Sequence, residues 1–468
     1  MNLAPNRGDS ATMLDSVLIS AEFVSHEIAL FAALGFLILG SSDLAVDLIW
    51  IGLTVKRRIF RSHAVDPEVV RVTARGHLAI FVPAWDEAAV IGGMLSFART
   101  AFRDGNYRIY VGCYPNDPAT LAVVGPLVDE RIHVVLCQRP GPTSKADCLN
   151  QLWARMRFDE AAEGYRFQAI VLHDAEDVVH SAELAIFGAL ADRFDLVQLP
   201  VVPLIDPASR WVAGHYADEF AEAHGKELVV RQALGAALPS AGVGCAISRD
   251  ALDRIAAAHG QPFDPGSLTE DYELGLRLRA MGGRGAFVRL RTGERRAVVA
   301  TREFFPATFE AAVAQKSRWM AGIALAGWER LGWQGGLAER WMRLRDRQSV
   351  LAAIVLFAAY ASLLLWSLFF VLELIAGRQM RPPSDLLAAL LLLNSFLFAW
   401  RLAMRFGFVA RAYGFGEGLR SIPRVLVGNI VAMRAARLAV IRYLVGRRTG
   451  TTIWGKTAHN FPVQLPAE

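Results

Sequence analysis

Cysteine is scarce in this 468-residue chain: Cys113, Cys137, Cys148 and Cys245 are the only four, and no two form a C-x-x-C pair. That spacing argues against a disulfide framework or a structural zinc site and fits a reducing compartment. The thiols read as small buried apolar groups. No arginine-rich tract is interleaved with aromatics and no zinc-finger spacing occurs, so nucleic acid is not an expected partner. Internal repeats and low-complexity segments are missing too. The net charge is only +5, with its basic excess toward the C-terminal end, which points to a membrane surface. A basic stretch before the first apolar run is also lacking. Asp9, Asp15, Glu22 and Glu27 precede that run, which argues against a signal peptide.

Long apolar runs are present, and the mean hydropathy is positive. Ile28 to Val55 is long enough to span a bilayer, although Ser41, Ser42, Asp43 and Asp47 interrupt it. Asp43 and Asp47 fall on one helical face; they read either as functional intramembrane carboxylates or as groups near an interface. Second and third spans are predicted over 350–375 and 386–404, joined by the short polar stretch Arg378 to Asp385. Lys56, Arg57, Arg58 and Arg61 follow the first span, and Arg401, Arg405 and Arg411 close the third. The positive-inside rule then puts 56–349 and the 405–468 tail in the cytoplasm, and the 1–27 tail and the short loop outside. Ile422 to Leu444 is apolar but carries Arg424, Arg434, Arg437 and Arg442, and is predicted to be an amphipathic helix in the cytoplasmic interface, with a fourth span as the alternative.

Between the spans, short β-branched runs alternate with helical periodicity. Strands are predicted at Leu78–Val82, Arg108–Cys113, Ile132–Cys137, Phe167–His173 and Leu196–Val202, with helices starting near Glu87, Ala119, Lys145 and Ser181. This alternation predicts an α/β domain with a parallel sheet covered on both faces. Such sheets bind ligands at the carboxyl ends of their strands. Four strand ends deliver polar groups there: Pro83-Ala84-Trp85-Asp86-Glu87, Tyr114-Pro115-Asn116-Asp117-Pro118, Gly141-Pro142-Thr143-Ser144-Lys145 and His173-Asp174-Ala175-Glu176-Asp177.

The last of these suits a metal. Alternation in extended backbone points Asp174 and Glu176 the same way, with Asp177 adjacent. Three such carboxylates repel one another unless a cation lies between them, and oxygen ligands suit Mg2+ or Mn2+. A metal there would neutralise a diphosphate leaving group. Thr269-Glu270-Asp271 reads either as a helix cap or as the source of a general base, with Asp271 the candidate and Glu270 beside it. Gln315-Lys316-Ser317-Arg318-Trp319 reads either as an interfacial helix or as a site in which Arg318 grips a diphosphate and Trp319 stacks on a sugar.

In this order, VPAWDE, YPND, GPTSK, HDAED, TED and QKSRW resemble a family-2 glycosyltransferase of the membrane-embedded synthase kind, similar to cellulose and hyaluronan synthases. The acidic turn and the tail Trp454-Gly455-Lys456-Thr457-Ala458-His459 resemble the bacterial phage-adsorption protein B type. The resemblance covers about residues 30–460. It implies a GT-A, Rossmann-like cytoplasmic domain on about three transmembrane helices in a bacterial inner membrane. It implies an inverting, metal-dependent transfer from a nucleotide-sugar donor to a glycan or lipid-linked acceptor, for a cell-surface or exported polysaccharide. Pro83, Asp86, Glu87, Asn116, Asp117, Lys145, Asp174 and Arg318 would meet the donor, Gln315 and Trp319 the acceptor, and Asp271 with Glu270 would be catalytic. Two features depart from the family. The usual Asp-x-Asp is here Asp174-Ala175-Glu176-Asp177, which leaves open whether Glu176 or Asp177 binds metal. Polysaccharide synthases of this kind also have more spans, so export would fall to periplasmic or outer-membrane partners. The end at Glu468 implies no further C-terminal regulatory domain. The rival expectations are a polyprenyl-phosphate glycosyltransferase and a non-catalytic scaffold of an export or phage-receptor system.

Overall fold

The structure is a computed structural model that describes residues 7–59, 76–292, 297–375, 377, 382–449 and 461–462. Arg61, Arg378, Arg381 and the Trp454–His459 motif lie outside the described residues. The chain runs α1 (Arg7–Ile59), β1 (Leu78–Pro83), α2 (Ile91–Ala101), β2 (Tyr107–Cys113), α3 (Pro118–Val124), β3 (Ile132–Leu136), α4 (Lys145–Glu163), β4 (Ala169–Leu172) and α5 (Glu183–Leu190). It continues through β5 (Leu196–Gln198), β6 (Val201–Leu204), α6 (Val212–Glu222), α7 (Leu228–Ala233), β7 (Cys245–Ser248), α8 (Arg249–His259), α9 (Glu270–Ala280), β8 (Gly285–Phe287), β9 (Arg291–Thr292), β10 (Ala297–Val298) and β11 (Thr301–Phe304). Helices α10 (Phe309–Met320), α11 (Gly327–Leu331), α12 (Leu337–Arg347), α13 (Ser349–Ile375), α14 (Asp385–Tyr413) and α15 (Phe415–Thr449) complete it. Two units emerge: Met1–Leu48 with Gln348–Met404, and Ile49–Arg347 with Arg405–Glu468.

Among the described residues, three helices are long and apolar enough to cross a membrane: Ser20–Ile59, Ser349–Ile375 and Asp385–Tyr413. In the first unit the two intramembrane carboxylates have partners 350 residues and more away. Asp43 pairs with Arg401, and the Trp400 indole N–H donates to Asp47 Oδ2 at 2.9 Å. The Asn394 amide donates to the Ala33 carbonyl at 2.8 Å. Polar groups among apolar helices find one another because the alternative is an unsatisfied group.

The second unit is built on a seven-stranded sheet of order β3-β2-β1-β4-β7-β5-β8. Pleating sends Ile80 and Val82 into one core with Met94, Leu95 and Val111, and sends Ala79 and Phe81 into the other with Leu149, Leu152 and Met156. Burial on both faces explains why β1 reads as an unbroken apolar run. The sheet is mixed, not parallel as the sequence predicts. Strand β7 runs antiparallel between β4 and β5, and its four residues are too few to show a pattern. The predicted strand Leu196–Val202 is also broken. Pro200 lacks a ladder N–H, so β5 stays in the main sheet while β6 leaves to pair in parallel with β11.

Helix α15 carries the segment predicted to be an amphipathic interfacial helix, and it is two-sided. It packs on α6 and α10, with Val431, Ala435 and Ala439 buried and Leu426, Ile430, Ile441 and Leu444 exposed. Of the four arginines that speak against a span, Arg424 is wholly buried. It donates to Asp218 Oδ1 at 2.8 Å, Glu417 Oε2 at 2.9 Å and the Arg210 carbonyl at 3.1 Å. Arg442 donates to Ser317 Oγ of α10 at 2.7 Å.

Candidate active site

A cavity opens where the β1 and β4 ends face α9 and α10. The β1 end contributes Pro83, Trp85 and Glu87, the start of α4 Lys145, the β4 end Asp174 and Glu176, α9 Glu270 and Asp271, and α10 Gln315, Arg318 and Trp319. Most of the residues predicted from sequence therefore line one space.

The acidic turn is not extended backbone. Asp177 N–H donates to the Asp174 carbonyl at 3.3 Å, and Asp174 N–H donates to Asp177 Oδ2 at 3.1 Å. This closes a turn that leaves Asp174 and Glu176 on the cavity and turns Asp177 inward, fully buried. There Asp177 Oδ2 lies 2.7 Å from His173 Nδ1, and His173 Nε2 lies 3.2 Å from Glu183 Oε2, off the line of a good hydrogen bond. Burial alone would lower the His173 pKa, but the Asp177 and Glu183 bonds outweigh it and hold it at about 10. Burial pushes Asp177 up, as do the nearby Asp174 and Glu176, while His173 opposes them. Asp177 is thus the brace of the turn and does not face the cavity. That corrects its expected place in the metal triad.

Helix α4 starts cleanly because Ser144 Oγ accepts Asp147 N–H at 3.2 Å. This fixes Lys145, whose Nζ pairs with Asp174 Oδ1 and donates to the Gly242 carbonyl at 3.5 Å. Burial opposes the charge of Lys145, but Asp174, Glu270 and Asp271 outweigh it and raise the pKa. Gly242 has φ 77°, and a Cβ there would lie 2.5 Å from Asp271 Oδ2, so only glycine admits the carboxylate so close to the backbone. Burial, then the neighbouring Asp271, pushes Glu270 up to about 7; burial likewise raises Asp271. Thr269 does not cap α9 through its side chain. Its Oγ1 is buried at the cavity without a hydrogen-bond partner among the described residues, and so is Gln315 Oε1.

The second strand end, predicted to meet the donor, is held by hydrogen bonds within the chain. Asp117 caps α3 by accepting Thr120 N–H at 3.2 Å, and its other oxygen accepts Asp86 N–H at 2.6 Å. That bond helps to hold Asp86 at φ 55°, an unusual backbone state for a residue with a side chain. The Asn116 amide and the Gly141 backbone exchange hydrogen bonds of 2.7 and 2.8 Å. Asn116 and Asp117 therefore clamp two loops at the cavity rim and do not line the cavity, and Asp86 also stands outside the lining. The far end of the cavity was foreseen only at Trp319. It is apolar and aromatic, with Phe220, Phe305 and Trp319 rings 4.9–6.5 Å apart, and Glu303 shares the lining. Its walls come from β6, β11 and α6, which no motif marks.

Among the described residues no three His, Cys, Asp or Glu side chains converge on a metal position. Two carboxylates, Asp174 and Glu176, share the cavity. That donor set fits Mg2+ or Mn2+, which commonly take one or two protein carboxylates and complete their shell with water and substrate phosphates.

Known proteins give the context. The profile described as "Glycosyltransferase like family 2" matches residues 74–322. Bacteriophage adsorption protein B of Escherichia coli K12 and bacteriophage N4 adsorption protein B of E. coli O157:H7 are each 36% identical over 471 residues, covering 93% of this chain. The chain spans 62% of the length of those relatives. A mannosyltransferase from Pyrobaculum calidifontis, solved with GDP-Man and Mn2+, is 18% identical, with a TM-score of 0.44 over 84% of this chain and 99% of that one. The ordered motifs, the sheet that positions them and the family profile over more than half of the chain agree: the protein belongs to glycosyltransferase family 2.

Proposed function

We propose that the protein transfers a sugar, with inversion, from a nucleotide-diphosphate donor to a hydroxyl of a glycan or lipid-linked acceptor. One observation carries this reading: Asp174 and Glu176, the basic Lys145 and Arg318, and the acidic Glu270 and Asp271 line a single cavity. Lys145 and Arg318 hold the donor diphosphate. Asp271 takes the proton of the acceptor hydroxyl, whose oxygen forms a bond to the anomeric carbon as the bond from that carbon to the phosphate oxygen breaks. The diphosphate leaves with the bonding electrons. A divalent cation held by Asp174 and Glu176 would neutralise the charge that develops on it. The unpartnered oxygens of Thr269 and Gln315 are matched by sugar hydroxyls, which supply hydrogen-bond donors. Trp319 and its aromatic neighbours offer a stacking surface to the acceptor. Asp86, Glu87, Trp85 and the loops clamped by Asn116 and Asp117 border the nucleotide.

The charge bias around the spans supports a multi-pass protein of the bacterial inner membrane with this cavity in the cytoplasm. The name of the E. coli relatives favours a cell-surface setting, reached through periplasmic or outer-membrane partners; a chain without turnover would serve there as a scaffold. The test is nucleoside-diphosphate release by the purified protein from a panel of nucleotide sugars, with Mn2+, Mg2+ or EDTA. Metal-dependent release from at least one donor is expected. Release that is indifferent to EDTA refutes the metal role, and no release from any donor favours the scaffold.

A further inference from the structure

Away from the cavity, four arginines gather on the second unit. Arg57 lies in the last turn of α1, Arg411 in the last turn of α14, Arg289 between β8 and β9, and Arg291 at the start of β9. All four residues are exposed. Among the described residues, none of Arg57, Arg289 and Arg411 forms an ion pair with a carboxylate. The surrounding protein, and then Arg411, Arg291 and Arg57 in that order, push Arg289 down to about 10. Arg289 therefore stands within electrostatic reach of the other three arginines.

Local packing holds them together. Arg289 donates to the Gly225 carbonyl at 3.1 Å, within the π-turn Ala223–Glu227. The Phe408 ring of α14 lies against Gly225, where a Cβ would come within 2.7 Å of it. Trp50 of α1 meets Phe408 edge-on at 4.9 Å, and Lys226 Nζ stands 5.6 Å over the same ring. Two helices that qualify as membrane spans thus end at this cluster.

We propose that Arg57, Arg289, Arg291 and Arg411 form a binding site for the phosphate of an anionic phospholipid headgroup. Guanidinium forks match phosphate oxygens bidentately, and a phosphate there offsets the positive charge that acts on Arg289. Arginines at the ends of membrane-spanning helices stand at headgroup depth, so the lipid and not a soluble phosphate is the source. The site also adjoins the cavity wall. His224 in the π-turn accepts Val201 N–H at 3.0 Å, and Val201 lines the cavity.

The experiment is native mass spectrometry of the full chain in detergent, titrated with dioctanoyl phosphatidylglycerol, dioctanoyl phosphatidylcholine or inorganic phosphate. Retention of phosphatidylglycerol above phosphatidylcholine is expected. The Arg57→Gln/Arg411→Gln double variant should lower phosphatidylglycerol retention about tenfold or more, leaving phosphatidylcholine unchanged. Should the double variant lose its native melting transition, Arg57→Gln alone carries the test, with about a threefold loss. Unchanged phosphatidylglycerol retention in a folded variant overturns the site. Equal retention of both lipids overturns its preference for an anionic headgroup, and displacement of phosphatidylglycerol by millimolar inorganic phosphate overturns the lipid assignment.

Discussion

Replacing Asp177 with asparagine separates bracing of the acidic turn from binding at it. His173 is held at about 10 against an ordinary 6.5 by two buried carboxylates. Both carboxylates favour the imidazolium, while burial works against it and against the Asp177 carboxylate. The amide keeps an oxygen for the Asp174 N–H and the imidazole but loses the charge. Removing one partner of a buried ion pair costs about 3–5 kcal/mol; the amide keeps the hydrogen bonds, so Asp177→Asn should cost about 2 kcal/mol and lower Tm by about 2 °C in a protein of this size. The sign of the pH dependence follows. His173 is raised when folded, so its contribution is full below about 6.5 and is lost as pH rises through about 10. The variant should flatten the part of the stability profile between those values. The assay is thermal melting across that range, paired with the Mn2+ concentration that half-activates turnover. A brace weakens metal binding by about 10–100-fold, whereas Asp174→Asn and Glu176→Gln should weaken it by more than about a hundredfold. A metal defect in Asp177→Asn as large as that of Asp174→Asn, with an unchanged Tm, would refute the brace and make Asp177 a ligand.

Three further outcomes are expected. The Glu270–Asp271 pair is pushed above the ordinary carboxylate range, with Glu270 at about 7, and a base must be deprotonated; kcat/KM should therefore rise with pH up to about 7, and a flat profile from pH 5 would exclude this pair. Arg424→Met leaves Asp218 buried without its charge partner and should destabilise the protein by about 3–5 kcal/mol, measured by melting, with partial recovery in Arg424→Met/Asp218→Leu. A reporter fused after Glu468 should read cytoplasmic and cysteines in the 378–385 loop should label from outside; a periplasmic reporter would contradict the packing of α15 on α6 and α10.

The sequence is legible where the chemistry is local. Fully apolar β1 and β2, the Ser144 cap that starts α4, and the polar residues that follow each strand all follow from nearest neighbours. What escapes it depends on distant partners. Asp177 reads as a ligand until His173 and Glu183 are seen to enclose it. The bonds of Asn116 to Gly141 and of Asp117 to Asp86, which join two loops, are not visible from spacing. Arg424 reads as one of four arginines of an amphipathic helix because Asp218, 206 residues earlier, cannot be paired with it by spacing. The aromatic end of the cavity depends on β6 leaving the main sheet for β11, and only Pro200 hints at that departure. Asp43 and Asp47 lack visible partners in the sequence because Arg401 and Trp400 sit on another helix.

The central claim is that Asp271 works on the acceptor while the donor is held by other groups. Asp271→Asn, purified in detergent with Mn2+, should bind the nucleoside diphosphate of the productive donor with unchanged affinity by calorimetry while transfer to acceptor falls by about a hundredfold or more. Nucleotide affinity that falls in step with turnover, or transfer that persists at the wild-type rate, would contradict the account.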